Sequence, residues 1–130
     1  MKTQQLIDDI ATHLLTQNRK SVDAHPHVIQ CMYRFEGLKC AIGALIPDDL
    51  YNPGMERLGV ENVLHTFPIL RKHLHTVYEV SEREASKFQA ILEEAQSIHD
   101  NKDWSPKAWP TKLDELRAEY LYIPKEVINH

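Results

Sequence analysis

Long apolar runs, basic stripes and glycine-rich loops are all missing from this sequence, and each absence removes a class of protein. No stretch of ~20 apolar residues occurs, so no membrane-spanning helix is expected. Lys2 is followed closely by Asp8 and Asp9, which leaves no uncharged run of signal-peptide length at the start; the cytoplasm is the expected location. The formal charge is −4, and basic residues come singly or in pairs such as Arg71-Lys72. Nothing there could track a phosphate backbone, so nucleic acid is not an expected partner. Gly37, Gly43, Gly54 and Gly59 match neither dinucleotide-binding nor P-loop spacing. No serine-centred hydrolase elbow is present either, and no cofactor is expected.

Cysteine is equally scarce. Two residues, Cys31 and Cys40, allow one disulfide at most, and the pattern around them argues against it. If Glu36-Gly37 is a two-residue turn, Phe35 faces Leu38, Tyr33 faces Cys40 and Cys31 faces Ile42. Cys31 and Cys40 are then diagonal neighbours with Cα atoms ~7–8 Å apart, beyond bridging distance. Free thiols fit a reducing compartment.

What is present describes an ordinary globular chain. With 130 residues, 42% hydrophobic and 26% charged, the expectation is one domain spanning residues 1–130 with one core. The stretch from Cys31 to Tyr51 organises it. Its uncharged part, Cys40 to Ile46, stops at Pro47 and reads as a segment buried on all sides and enclosed by helices.

Leu6, Ile7, Ile10, Ala11, Leu14 and Leu15 recur at helical spacing from Thr3, a candidate N-cap, to about Gln17. Asn18 to His27 is polar and ends in His25-Pro26-His27, a connecting loop. From Ile29 the period becomes two, placing Ile29, Cys31, Tyr33 and Phe35 on one face, with Leu38, Cys40 and Ile42 joining them across the turn. This predicts a hairpin over 29–42. The competing reading keeps only Leu38-Lys39 as second strand and starts a short helix at Cys40. Val60, Val63, Leu64 and Phe67 mark a helix that must end or bend at Pro68. A second piece follows, with Ile69, Leu70, Leu74, Val77 and Tyr78 inward. Ser81 to Glu84 is a capping box, and Ala85, Phe88, Ile91, Leu92, Ala95 and Ile98 carry the stripe onward. Ser105-Pro106 resembles another helix start, and Trp109, Leu113, Leu116 and Tyr120 give a last helix ending near Leu121. Pro124 and the closing residues form a tail. The fold class is therefore mainly α (α+β): four to six helices around a central apolar segment, with one short β-hairpin near residues 29–42.

Candidate chemistry is thin. Cys40 at the start of a helix would gain a lowered thiol pKa, and His99-Asp100 could supply a base and its orienting carboxylate, completing a cysteine–histidine–acid arrangement. Against this, a cysteine in an apolar run is usually a small buried hydrophobe, and a histidine in a last helical turn suits the helix dipole without catalytic duty. Cys31, Cys40, His25, His27 and His99 do not have the paired spacing of a zinc site, so no metal is expected. Asp48, Asp49 and Glu56 form an acidic cluster after the central segment, and Trp104, Trp109 and Tyr120 could line a pocket or belong to the core.

Cys31-Met32-Tyr33-Arg34, Gly37 through Asp48, Tyr51, Met55-Glu56, Ile98-His99-Asp100 and Trp109 together resemble a family of small uncharacterised proteins from bacteriophages and bacterial prophages. Family members often carry glycine directly after the Met-Glu pair, where this chain has Arg57. The resemblance supplies a setting rather than a mechanism: an accessory protein inside an infected bacterial cell that takes over host functions or blocks defence by binding. The expectation is a non-enzymatic protein that binds a host macromolecule or a small signalling ligand, with Tyr33, Arg34, Tyr51, Glu56, Trp104 and Trp109 as binding residues. The alternatives are a cysteine-dependent hydrolase or transferase using Cys40, His99 and Asp100, and a structural or oligomer-forming module. Oligomeric state is left open, a homodimer included.

Overall fold

Apolar residues three and four apart put Leu6, Ile7, Ile10, Ala11 and Leu14 on one side of helix α1 (Thr3–Gln17), where they are sealed from solvent. The computed structural model describes residues 1–25 and 28–121; Pro26 and His27, at the end of the expected connecting loop, and the tail around Pro124 lie outside them. The N-cap of α1 is Lys2, without a side-chain bond, and Thr3 is the first helical residue. Asn18 ends the helix in the left-handed region at φ 50°, its N–H donating to Leu14 O.

The polar stretch after α1 contains a strand that the sequence does not announce. β1 (Val22–His25) pairs antiparallel with β2 (Val28–Cys31), Val22 opposite Cys31. The single hairpin expected over 29–42 is thus replaced by two ribbons. The second joins β3 (Arg34–Phe35) to β4 (Leu38–Lys39). Its turn forms at Glu36-Gly37, with positive φ at both central residues (48° and 83°), the geometry that matches strand twist. Phe35 faces Leu38 as expected, and Cys40 N–H donates to Tyr33 O at 3.2 Å, but Cys31 faces Val22 rather than Ile42.

The long hairpin is cut short by side chains that take its backbone groups. Tyr33 and Arg34 N–H both donate to the Glu56 carboxylate (2.8 and 3.1 Å), and Ile42 N–H donates to Gln96 Oε1 at 3.2 Å. The chain after Cys40 turns instead into a short 3₁₀ segment, Gly43–Leu45, close to the competing sequence reading. Cys40, Ala41, Ile42, Gly43 and Ile46 are buried there, while Ala44 and Leu45 are half-buried.

Four further helices complete the architecture. α2 (Val60–Thr66) and α3 (Pro68–Val77) meet at Phe67, because Pro68 has no N–H to continue the first ladder but suits a first turn. Leu70, Leu74 and Tyr78 are buried from this region, whereas Ile69 (72% exposed) and Val77 (45%) face outward. The expectation that all five point inward therefore fails for two of them, because they fall outside the i, i+4 stripe that the core accepts. The Ser81–Glu84 capping box forms in full and leads into α4 (Ala85–Asp100); after a 3₁₀ turn at Pro106–Ala108 comes α5 (Trp109–Leu121). The molecule is a small mainly-α (α+β) domain with five α-helices among the described residues. α1 packs most extensively on α5, and α4 lies against both. The central segment packs against α1 and is tied to α4 by the Ile42–Gln96 bond. No helix of the described residues is long and apolar enough to cross a membrane.

Candidate functional site

The end of α4 brings His99 and Asp100 to the base of the first ribbon. His99 is fully buried, and its Nε2 accepts the backbone N–H of Ser21 at 2.9 Å. A nitrogen that accepts an N–H carries no proton, so in the neutral ring Nδ1 must carry it. Nδ1–H donates to Asp100 Oδ1 at 2.6 Å. The ring lies stacked on Trp109, with centroids 5.7 Å apart and planes at 27°. Both ring nitrogens are therefore committed, and no face is open to a substrate.

Cys40 is not in a position to be the partner of that histidine. Its thiol is completely buried and accepts Gly43 N–H at 3.2 Å. Burial pushes its pKa up to about 12, outweighing the N–H groups of Gly43 and Ile42, which pull it down. The expected lowering at a helix start fails because a three-residue 3₁₀ turn offers little dipole and the site is dry. The cysteine beside Asp100 is Cys31, half-buried, with Sγ 4.0 Å from Asp100 O. Its pKa is also raised, to about 11, by burial and then by the Asp100 charge.

Cys31, His99 and Asp100 offer ligand atoms within 4.8 Å of one another, so the arrangement must be tested as a metal centre. It fits poorly. Nε2 is held unprotonated by Ser21, so a cation at Nδ1 would need a doubly deprotonated ring or the loss of the Ser21 bond.

Four of the six expected binding residues come together, and they bind each other. The Glu56 carboxylate accepts from Tyr33 N–H, Arg34 N–H and Tyr51 Oη–H, the last at 2.6 Å. Tyr33 Oη–H donates to Leu58 O. Burial is the first cause raising the Tyr33 and Tyr51 hydroxyl pKa values, that of Tyr51 to about 12. Arg34 lies 4.6 Å over the Tyr51 ring, pairs with Asp48 at 2.8 Å and donates to Ile46 O. The supposed acidic cluster is thereby dispersed: Asp48 faces Arg34, Asp49 is exposed, and Glu56 turns inward. The two tryptophans are separate: Trp109 is core, whereas half-buried Trp104 carries Lys112 Nζ 4.3 Å above its ring.

An open cleft of about 340 Å³ adjoins this framework, lined by Cys31, Tyr33, Arg57, Leu58, Gln96 and Asp100 together with Gly59 and Val60. Ser21, Gln96 and Arg57 were not legible as site residues. Gln96 alone left a signal, its i, i+4 spacing to Asp100, which it holds at 2.9 Å. Comparison of the chain with family models, with curated proteins and with solved structures gave no match.

Proposed function

We propose that this chain is a non-enzymatic accessory protein of the bacteriophage type, acting in the cytoplasm of a bacterial host by binding a host macromolecule or a small signalling ligand. One observation carries the non-enzymatic half of the reading. His99, the residue best suited to act as a base, has both nitrogens bonded within the fold and no solvent exposure. The residues that could have formed a cysteine–histidine–acid centre hold a strand, a turn and a helix end together instead. The resemblance to phage and prophage proteins supports the setting.

The test has two arms. Tagged protein recovered from infected bacterial cells is expected to carry a stoichiometric macromolecule or small molecule that survives washing and is competed by untagged protein. Recovery of bare protein under every condition would defeat the reading. In the second arm, Cys40→Ser is expected to retain that binding. Loss of binding in a folded Cys40→Ser variant, or thiol reactivity at neutral pH, would favour the cysteine-dependent enzyme.

A further inference from the structure

The cleft beside Cys31 holds a strained residue and two charges that do not meet. Arg57 has φ 71°, left-handed backbone that any residue with a Cβ resists. Non-glycine residues persist in this region where the surroundings impose it, and they gather at ligand sites. The Arg57 guanidinium makes no hydrogen bond or ion pair with any described residue. Asp100 lines the same cleft with its side chain 38% exposed. His99 Nδ1–H and Gln96 Nε2–H both converge on its Oδ1, so Oδ2 retains acceptor capacity. A cation and an anion thus line one concavity without forming an ion pair.

We propose that this cleft binds a small bifunctional metabolite, one that presents an oxyanion to Arg57 and an N–H or O–H donor to Asp100. The proposal rests on the binding reading above and names its site and ligand class. The oxyanion can be a phosphate ester or a carboxylate; both fit a guanidinium in two-point contact. A cleft of about 340 Å³ lies at the small end of ligand sites, which selects a ligand between an amino acid and a mononucleotide in size. Tyr33, Leu58 and Val60 supply apolar wall for its body. The rigid part of the site is the motif framework already described: Gln96 is fixed by Ile42 N–H and holds Asp100, while Tyr33 is fixed through Glu56 and Leu58.

The experiment titrates the full chain with adenosine 5′-monophosphate, phosphoserine, glutamate and inorganic phosphate, read by calorimetry and by backbone amide shifts. At least one of the first three is expected to bind and to shift residues 31–33, 57–60 and 96–100, with inorganic phosphate at least tenfold weaker because it leaves Asp100 unanswered. The phosphate and carboxylate probes tell the two oxyanions apart. Arg57→Gly is expected to lose at least tenfold in affinity with a melting temperature equal to or above that of the natural chain, so the loss cannot be charged to unfolding. Asp100→Asn, which can still accept from His99, is expected to weaken the bifunctional probes and leave inorganic phosphate unchanged or tighter. Failure of all three probes, undiminished binding in Arg57→Gly, or tighter binding of the bifunctional probes in Asp100→Asn would overturn the site. If the three probes fail while a co-purifying partner persists in Arg57→Gly, the binding reading stands and this site falls; if the probes fail and neither chain retains anything, both fall.

Discussion

The backbone N–H of Ser21 points into the ring nitrogen Nε2 of His99, 78 positions further along the chain. That single bond fixes the tautomer of the histidine, ties the first ribbon to α4 and closes the most plausible catalytic group of the sequence against use. His99→Ala would leave Ser21 N–H and one side of Trp109 without partners inside the core, a loss of roughly 3–4 kcal/mol from an unpaired buried donor and a lost side chain. His99→Gln, which can still present an acceptor, should recover part of it. Denaturant unfolding measures both, and ¹⁵N ring shifts should show the proton on Nδ1.

Gly43 has a different kind of necessity. A Cβ at this position would lie 2.0 Å from Tyr33 O, so the two backbones pass too closely for any side chain. Gly43→Ala is expected to lose about 3 kcal/mol or more, the upper range for overpacking. A melting temperature within two degrees of the natural chain would contradict the approach described.

Glu56 satisfies two backbone donors and one hydroxyl. Removing it as Glu56→Ala is expected to destabilise by about 3 kcal/mol, since charge-assisted bonds are the stronger ones and their donors would be stranded. Glu56→Gln should do about half that damage. Amide exchange at Tyr33 and Arg34 is the direct readout, and it should accelerate in both variants.

The thiols give a pH dependence whose sign follows from their shifts. Both cysteines are raised in the folded state, Cys31 to about 11 and Cys40 to about 12, from an ordinary value of 9.0. The folded chain therefore holds these protons more tightly than the unfolded one. The stabilisation is complete below pH 9 and is lost as pH rises through 11 to 12. Alkylation at neutral pH is expected to be slow at Cys31 and slower still at Cys40, with alkaline unfolding over the same window.

Arg57→Gly should stabilise the fold by about 0.5–1 kcal/mol, because glycine adopts the left-handed region freely while giving back some of that gain as backbone entropy. Arg57→Ala retains the strain and should show no such gain. Thermal unfolding of the two variants side by side checks this.

The helices were largely legible in the sequence, because the periodic stripes of α1, α4 and α5 and the Pro68 break are local signals that tertiary contacts had no reason to override. The Glu36-Gly37 turn was legible for the same reason. The ribbon Val22–Cys31 was not: its first strand is short and polar, and its anchors are Ser21 and His99, which no spacing rule connects. A two-residue period overstates the hairpin because it describes side-chain alternation only. It is blind to Glu56 and Gln96, which take the N–H groups of Tyr33, Arg34 and Ile42 away from a ladder. At the candidate site, adjacency pairs His99 with Asp100, but the neighbouring thiol is Cys31, since the strand end that reaches the end of α4 is that of β2, in the first ribbon.

α1 has its main partner in α5, the last described helix. During synthesis the apolar stripe of α1 therefore lacks its largest partner until Trp109–Leu121 has been made. Nascent chains stalled before Trp109 should remain protease-sensitive and should be clients for the chaperones that guard exposed helices.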